Sequence, residues 1–539
     1  MKKFLRILPF FLVFVVVYAL MTYWQTTAQV KPFLDPFGRS AKVGTMTPNR
    51  PVELIGENKY AYLKDQNLVL ATLDPATETV KEEQRPIPNQ DMFAYTNYKL
   101  LGDDLFWVGK GQTLKWAKWQ GSAWSQPQEV AQKVTALQLQ EAGGKKLLWV
   151  GVAGNLNAYE IGSDQLTLIK NFPHTNVETL TAALDDQGVD HIGVVDNING
   201  GLYKLTYSTL DTKTWQGSAP VPVSELSLNT DSSVDAGSFG VDGQNGYFLV
   251  TYKIGKLGIK TLNLYSFPLG SPENVQHTTI VPHTFMGDEA KFVYDGVIMP
   301  GREQDGLKFG FVASTADSPR FEGNELYIGT LQNGQWKGDA ARLTNIHKIA
   351  LNPVLQKKGS AISVFFTEET TFSTFDIYST TNNPTYAEAS NKLTADDFKM
   401  SAMQVPVYLG SAIIQFFIAL AWPCASYIYL MYFVLRREDA LYDSASRHFW
   451  VAVVLYLISQ ISLFLAYGNL NNWRIYAPEW LHTNFAIALL FIAFALLCSL
   501  ITWIIRKTFY ERNAIVEFSY FTMLNLWLTL LGVAYWMTY

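Results

Sequence analysis

Apolar and polar positions follow one rhythm through the middle of the chain, and residues 184–215 show it whole. A polar turn (Asp185, Asp186, Gln187, Gly188) leads into an apolar run (His191, Ile192, Gly193, Val194, Val195). A second turn (Asp196, Asn197, Ile198, Asn199, Gly200, Gly201) follows. Leu202, Lys204 and Thr206 then alternate with Tyr203, Leu205 and Tyr207, and Trp215 closes the unit. Asn, Asp and Gly supply the positive φ of tight hairpin turns, and the runs between them have strand length and period two. The pattern predicts strand, turn, strand, turn, strand: the core of an antiparallel blade.

The apolar second strand recurs seven times, starting at Tyr60, Leu105, Leu147, His191, Tyr247, Lys308 and Ile362, at spacings of 42 to 61 residues. Turn residues precede most of them, as at Gly102, Asp103 and Asp104, at Gly143 and Gly144, and at Asp305 and Gly306. A strand with alternating aromatics usually follows, as in 114–119 and 262–265. Self-similarity at this period predicts a β-propeller whose units are four-stranded blades, each needing neighbours to bury its faces. Seven blades are expected over 52–398, with six or eight as the alternative counts and a β-sandwich as the competing arrangement.

Outside that region the apolar residues run together. Residues 7–24 form one block behind Lys2, Lys3 and Arg6, and are either a cleaved signal peptide or a retained anchor helix. The anchor, 1–30, is the favoured reading, with 31–51 as a linker. Four more blocks of spanning length, 407–435, 449–467, 485–505 and 515–536, predict a transmembrane domain over 399–539. Pro423 is expected to kink the first of them. Arg436, Arg437 and Arg447 lie between the first two blocks, and Arg506, Lys507 and Arg512 between the last two. Together with the N-terminal cluster they mark the cytoplasmic side, which puts the propeller and Tyr539 outside the cytoplasm in a multi-pass cell-membrane protein.

A net charge of −5 gives no argument for nucleic acid. Both cysteines, Cys424 and Cys498, fall in apolar blocks, so the exported region relies on burial rather than disulfides. Motifs for a zinc protease, a P-loop, a dinucleotide fold or a serine hydrolase are missing, and no catalytic residue or cofactor is expected. Asp196 and Asn199 resemble the start of a calcium loop but lack its later acidic ligand, so a hairpin turn is their expected role. The candidate ligand-binding residues are Trp107, Trp116 and Trp149, whose indoles suit sugar faces, and Asp185, Asp186 and His191. Packing between blades is the competing role for the tryptophans, and turn capping for the aspartates. The membrane blocks hold neutral polar groups such as Gln460 and Asn525, with Glu517 near one end, as in an anchor or partner-binding bundle rather than an ion-coupled transporter.

The run from Asp185 through Gly188 to His191, then Gly201, Leu202 and Tyr203, then Trp215, resembles the repeat of sialidase-like and fucose-lectin-like propellers. There a D-x-x-G-x-x-H turn and strand precede G-x-L-x-Y and G-x-x-W. Residues 114–125 are similar to the second half of that unit, and 333–336 to its end. The resemblance implies the fold and ligand binding. It does not extend to hydrolysis: the S-x-D-x-G-x-x-W box is not present, and Arg302, Arg320 and Arg342 have no matching context. The expected function is therefore a membrane-anchored, extracytoplasmic binding, sensing or scaffold module for a protein or glycan, working with a membrane partner. A cell-surface carbohydrate-active enzyme and a structural subunit of a membrane complex are the alternatives.

Overall fold

Every one of the seven apolar runs is a central strand with both faces buried. In the computed structural model Tyr60 and Tyr62 join one apolar layer, with Val43, Phe365 and Ile377. Their neighbours Ala61 and Leu63 join the next, with Leu105 and Trp107. Phe106 turns to a third, with Leu148 and Val150. Successive side chains of a strand point to opposite faces, so a strand covered on both sides reads as an unbroken apolar run. The structure describes residues 2–30, 37–47, 50–56, 58–74, 79–89, 92, 97–142, 144–163, 165–283, 289–301, 306–318, 321–344, 349–371, 374–443, 445–468, 470, 473–474, 477–509 and 513–537. Gly143, Arg302, Asp305, Arg320, Arg512 and Tyr539 lie outside them. Two compact units result, one from Pro32–Asp317 and Phe321–Lys392, the other from Met1–Lys31, Ser318–Arg320 and Leu393–Tyr539.

The first unit is a propeller. Its first strand, β1 (Ala41–Met46), is followed by blade one, β2 (Glu53–Gly56), β3 (Lys59–Lys64), β4 (Asn67–Leu73) and β5 (Val80–Pro86). Blade two is β6 (Tyr98–Leu101), β7 (Asp104–Val108), β8 (Leu114–Lys118) and β9 (Gln128–Ala131). Blade three has six strands: β10 (Val134–Ala142), β11 (Lys145–Ile161), β12 (Leu166–Leu184), β13 (Val189–Asn197), β14 (Leu202–Asp211) and β15 (Val221–Ser227). Blade four is β16 (Ser233–Val241), β17 (Asn245–Ile254), β18 (Ile259–Pro268) and β19 (Gln276–Ile280). Blade five is β20 (Val293–Ile298), β21 (Leu307–Ser318), β22 (Phe321–Gln332) and β23 (Gln335–Arg342). Blade six holds β24 (Ala350–Lys358), β25 (Ala361–Thr371) and β26 (Thr374–Thr381), completed by β1.

There are thus six blades among the described residues, where seven were expected. The difference lies in β11 and β12. Residues 145–152 of β11 pair with β10, and 153–161 pair with β12. β12 in turn pairs with β13 through 177–184. The hydrogen-bond ladder passes from the third repeat into the fourth without an open edge, so two repeats make one wide blade. That blade encloses a layer of its own, in which Trp149, Leu156 and Phe172 meet Ile192, Val194 and Leu210.

β1 pairs antiparallel with β26, from Ala41 against Ser379 to Met46 against Phe375. Part of the stretch expected as a linker is therefore a blade strand. Lys42 and Thr45 both reach Asp376, at 2.7 and 3.0 Å. The layer around Val43, Tyr60 and Phe365 joins the first blade to the last, which shuts the ring. A helix, α2 (Pro384–Ser390), follows the last blade, its first turn capped by Asn383, whose Oδ1 accepts from Thr385 N at 3.0 Å.

The second unit is helical: α1 (Lys2–Val30), α3 (Ala395–Ala419), α4 (Cys424–Arg436), α5 (Ala440–Asp443), α6 (Ala445–Tyr467), α7 (Asn484–Ile505) and α8 (Ala514–Met537). Four stretches of the described residues, Phe4–Thr27, Ala445–Tyr467, Asn484–Thr508 and Ala514–Val533, are long and apolar enough to cross a membrane. The block expected over 407–435 is divided. α3 ends at Ala419, and Pro423 sits at the N-cap of α4 rather than kinking one helix, because a residue without an N–H fits a helix start and not its interior. α3 also begins ahead of the expected boundary at 399. α1 packs among the C-terminal helices: Val13, Val17 and Met21 are buried with them. Tyr18 Oη donates to Ala402 O at 2.6 Å, Tyr520 Oη to Arg6 O at 2.9 Å, and Trp527 Nε1 to Phe10 O at 3.1 Å.

Close sheet packing yields a stability test. A Cβ on Gly193 of β13 would fall 2.4 Å from Phe239 Cγ, whereas one on Gly200 would meet nothing within 4 Å. Gly193→Val should lower unfolding stability by about 3 kcal/mol through overpacking. Gly200→Ala, at φ +61, should lose only about 1 kcal/mol through backbone strain. Denaturant midpoints of the full chain check this, and equal losses would contradict the packing.

Candidate functional site

The turn that anchors the opening motif is self-satisfied. Asp185 Oδ1 accepts from Gln187 N at 2.9 Å and Val189 N at 2.8 Å. Its other oxygen meets His191 Nε2 at 3.1 Å, and His191 Nδ1 meets Tyr207 Oη at 2.7 Å. These backbone and imidazole bonds hold the Asp185 carboxyl below its usual pKa against the opposing effect of partial burial, the largest single influence. Asp186 is exposed at the tip with no part in the cluster's bonds. The next blade repeats the device: Asp242 Oδ1 accepts from Gln244 N and Asn245 N, and Asp242 Oδ2 from Tyr247 Oη at 2.5 Å. Asp185 and His191 therefore shape a hairpin.

Trp107, Trp116 and Trp149 do not converge. Each is buried, in three different layers between sheets. Trp116 Nε1 donates to Asp104 Oδ1 at 3.1 Å. Their ring faces meet neighbouring side chains and offer nothing to a ligand. Asp196 turns inward to His174 Nδ1 at 2.7 Å, while Asn199 lies exposed at the tip of its turn. No group of three or more acidic, histidine or cysteine side chains suited to a metal occurs among the described residues.

The most built polar feature of the propeller lies elsewhere. The first strands of neighbouring blades, with residues 177–184 of β12 in the same role, stand side by side around the axis. Their pairing with the next strand slips near the start in β10 (between Val134 and Ala136), β12 (Val177 and Thr179), β16 (Val234 and Ala236), β20 (Tyr294 and Val297) and β24 (Leu351 and Val354). The bulged residues include Thr135, Glu178, Asp235, Asp295 and Asn352. A bulge re-aims a side chain out of the ladder, and equivalent strands run in one sense, so these groups gather at one end of the axis. Asp295 and Asn352 hold φ of 54° and 50°, a left-handed geometry that Asp and Asn tolerate.

Two parts of this mouth are resolved by their contacts. Thr135 and Glu178 line a cavity of about 560 Å³ with Asn97, Lys110, Gln112 and Asn176. Amides, a hydroxyl, a carboxylate and an ammonium there offer both donors and acceptors. On the other side Lys260 Nζ pairs with Asp235 Oδ2 at 2.6 Å, and Asn352 N donates to Asp295 Oδ2 at 3.5 Å. Burial raises the Asp295 carboxyl and Asp235 adds to the rise, while Lys260 and the Asn352 amide oppose it. Reading of the sequence missed the whole set. Its signal was turn chemistry inside apolar runs, Asp295 before Gly296 and Asn352 before Pro353.

Asp190, beside the candidate turn, is a different case. It is fully buried in the wide blade, with Gln140 Nε2 donating to its Oδ1 at 2.8 Å. The Trp149 indole nitrogen lies near, without a well-aligned bond, and Asp190 Oδ2 and Gln140 Oε1 have no protein partner. Burial pushes the carboxyl up to about 7 against the hydrogen bonds. Because the folded chain holds this proton more tightly than the unfolded one, stability should fall as pH rises from about 4 to about 7, by about 4 kcal/mol in all. Asp190→Asn should remove that slope, raising the unfolding midpoint at pH 8 and leaving it little changed at pH 4. Parallel pH curves for the two proteins would refute the assignment.

Comparison with known proteins gives fold neighbours only. No family model matches the chain, and no curated protein matches it in sequence. The WD40 domain of Neurospora crassa Pan2 is similar with a TM-score of 0.39 at 9% identity, over 63% of this chain and 95% of that one. The polysaccharide lyase Uly1 is similar with a TM-score of 0.41 at 8% identity, over 66% and 95%. The propeller assignment rests on the sheets themselves.

Proposed function

We propose that this chain is a membrane-anchored binding module whose propeller, outside the cytoplasm, holds a polar ligand at the bulged end of its axis. The carrying observation is the coincidence of Thr135, Glu178, Asp235, Asp295 and Asn352 at equivalent places on five first strands. Mixed donors and acceptors around an open cavity suit a hydroxyl-rich glycan or a polar protein segment. The helical unit is the anchor, with α1 retained, since its burial against α3 and α8 would be lost on cleavage. Arg6 donates to Thr508, which brings this N-terminal cation to the same end as Arg506 and Lys507. Phe449 stacks edge-on with Phe521, so α6 and α8 start level. Those clustered cations favour the cytoplasmic side for that end. The cytoplasmic loops carry no effector domain, so a bound state is passed to a membrane partner.

A second reading has one specific support. Asp235 and Asp295 feel each other's charge, and one is raised by burial, as in a general acid beside a carboxylate base. A carbohydrate-active enzyme would need both, and Asp295→Asn would then abolish turnover, whereas a pure binding module would release no product before or after the substitution.

Topology is tested by single cysteines at Lys256 and Lys507, in a Cys424→Ser, Cys498→Ala background, with an impermeant maleimide. Intact cells should label position 256 alone, and labelling of 507 instead would overturn the orientation. For the site, a glycan array probed with the full chain in nanodiscs should lose signal about tenfold or more on Thr135→Trp, which fills the cavity. Unchanged binding would move the ligand elsewhere.

A further inference from the structure

A second cavity of the propeller lies between blades one and two, away from the bulged mouth. First strands begin at that mouth. The turn joining β6 to β7, which supplies Gly102 and Asp103 to the cavity wall, follows the end of a first strand. The cavity therefore lies at the opposite end of the ring. It measures about 410 Å³, within the range of small-molecule pockets. Strand register sets what faces it. Thr72 of β4 is paired with Lys59 of β3 on one side and with Lys81 of β5 on the other. Residues directly opposite each other share a face of a sheet, so one hydroxyl stands between two ammonium side chains. All three line the cavity. Leu70 and Glu83, the pair two places along, share that face, and Ile55 adds a second apolar group.

Arg85 is the preorganised part of this cavity. Although a cation, it is only 8% exposed. Its Nε donates to Glu83 Oε1 at 2.7 Å and its Nη1 to Asp103 Oδ1 at 3.3 Å. The guanidinium carbon lies 4.8 Å from the centroid of the Trp119 ring. These contacts fix the plane of the fork and leave Nη2 without a partner among the described residues. Glu83 Oε2 and Asp103 Oδ2 are likewise left as acceptors, and Lys59 and Lys81 have no ion pair among the described residues. Glu82 turns its carboxylate to the opposite face, where Tyr62 Oη donates to it at 2.6 Å. Three cations thus face two carboxylates.

We propose that this cavity binds a hydroxylated carboxylate of the uronate or aldonate class. The ligand carboxylate accepts from Arg85 Nη2 and from the ammonium groups of Lys59 and Lys81, charge-assisted bonds of the stronger kind. Its hydroxyls donate to Glu83 Oε2 and Asp103 Oδ2 and meet Thr72, while its C–H face lies on Ile55 and Leu70. The lining carries one positive charge in excess, which one carboxylate cancels. A neutral sugar would leave that charge unmatched, and a phosphate dianion would crowd negative charge against Glu83 and Asp103. This site is separate from the mouth and stands whether or not a ligand is held there.

Calorimetric titration of the full chain in nanodiscs is the test. D-glucuronate and D-gluconate should bind, and D-glucose should bind about tenfold more weakly or worse, as for a lost charged hydrogen bond. Tetragalacturonate is a separate arm. Tighter binding than that of either free acid identifies the end of an acidic polysaccharide as the source, and weaker binding identifies a free sugar acid. Lys81→Gln should weaken glucuronate about tenfold, and Thr72→Trp, which fills the cavity, should abolish its binding. Both positions are exposed, so the unfolding midpoints should stay unchanged. Should Thr72→Trp fail to fold, Lys81→Gln still decides. Equal affinity for glucose and glucuronate, tighter binding of glucose 6-phosphate, equal competition by a tetraglutamate peptide, or undiminished binding by Lys81→Gln overturns the proposal.

Discussion

Backbone pairing between β1 and β26 is the interaction on which the rest depends. An unpaired β26 would leave an open edge with a row of free backbone groups. The layer around Tyr60 and Phe365 would also lose Val43 and Met46, 3% and 1% exposed. The same pairing draws the two ends of the propeller chain together. Gly38 N donates to Thr381 O at 3.0 Å, Thr380 Oγ1 to Gly38 O at 2.6 Å, and Tyr386 Oη to Arg39 O at 3.0 Å. In the helical unit, α1 and α3 are likewise bound to each other by Tyr18 and Ala402.

Much of this was legible because burial of both strand faces writes a strong signal. Leu105, Phe106 and Trp107 are 0% exposed and had to be apolar in succession. In β14, Tyr203, Leu205 and Tyr207 enter one layer while Leu202 and Lys204 stay half-buried, as the alternation indicated. What the pattern could not carry was which edges pair. Residues 173–177 join two repeats in a continuous strand, and periodicity marks where strands are, not where a ladder stops. For the same reason β1, with only Val43 and Met46 buried, looked like linker. The apolar block around Pro423 concealed a break because both resulting helices are apolar.

Site residues were less legible than the fold, for a physical reason. Tryptophan, aspartate and histidine stand out in a sequence, yet in this ring they stabilise turns and layers between sheets. The groups at the axis are ordinary Thr, Glu, Asp and Asn, and their position depends on bulges, which a residue-type search does not detect. Asp190 illustrates the same separation between chemistry and access: its carboxyl is the most perturbed of the candidate turn, and it is sealed from any ligand.

Hydrogen–deuterium exchange across residues 41–46 tests ring closure most directly. If β1 is a true strand of the last blade, its amides should exchange as slowly as those of 374–381, and both should open in one cooperative step. Exchange of 41–46 within seconds while 361–381 stays protected would contradict the closure, and with it the joined ends of the ring.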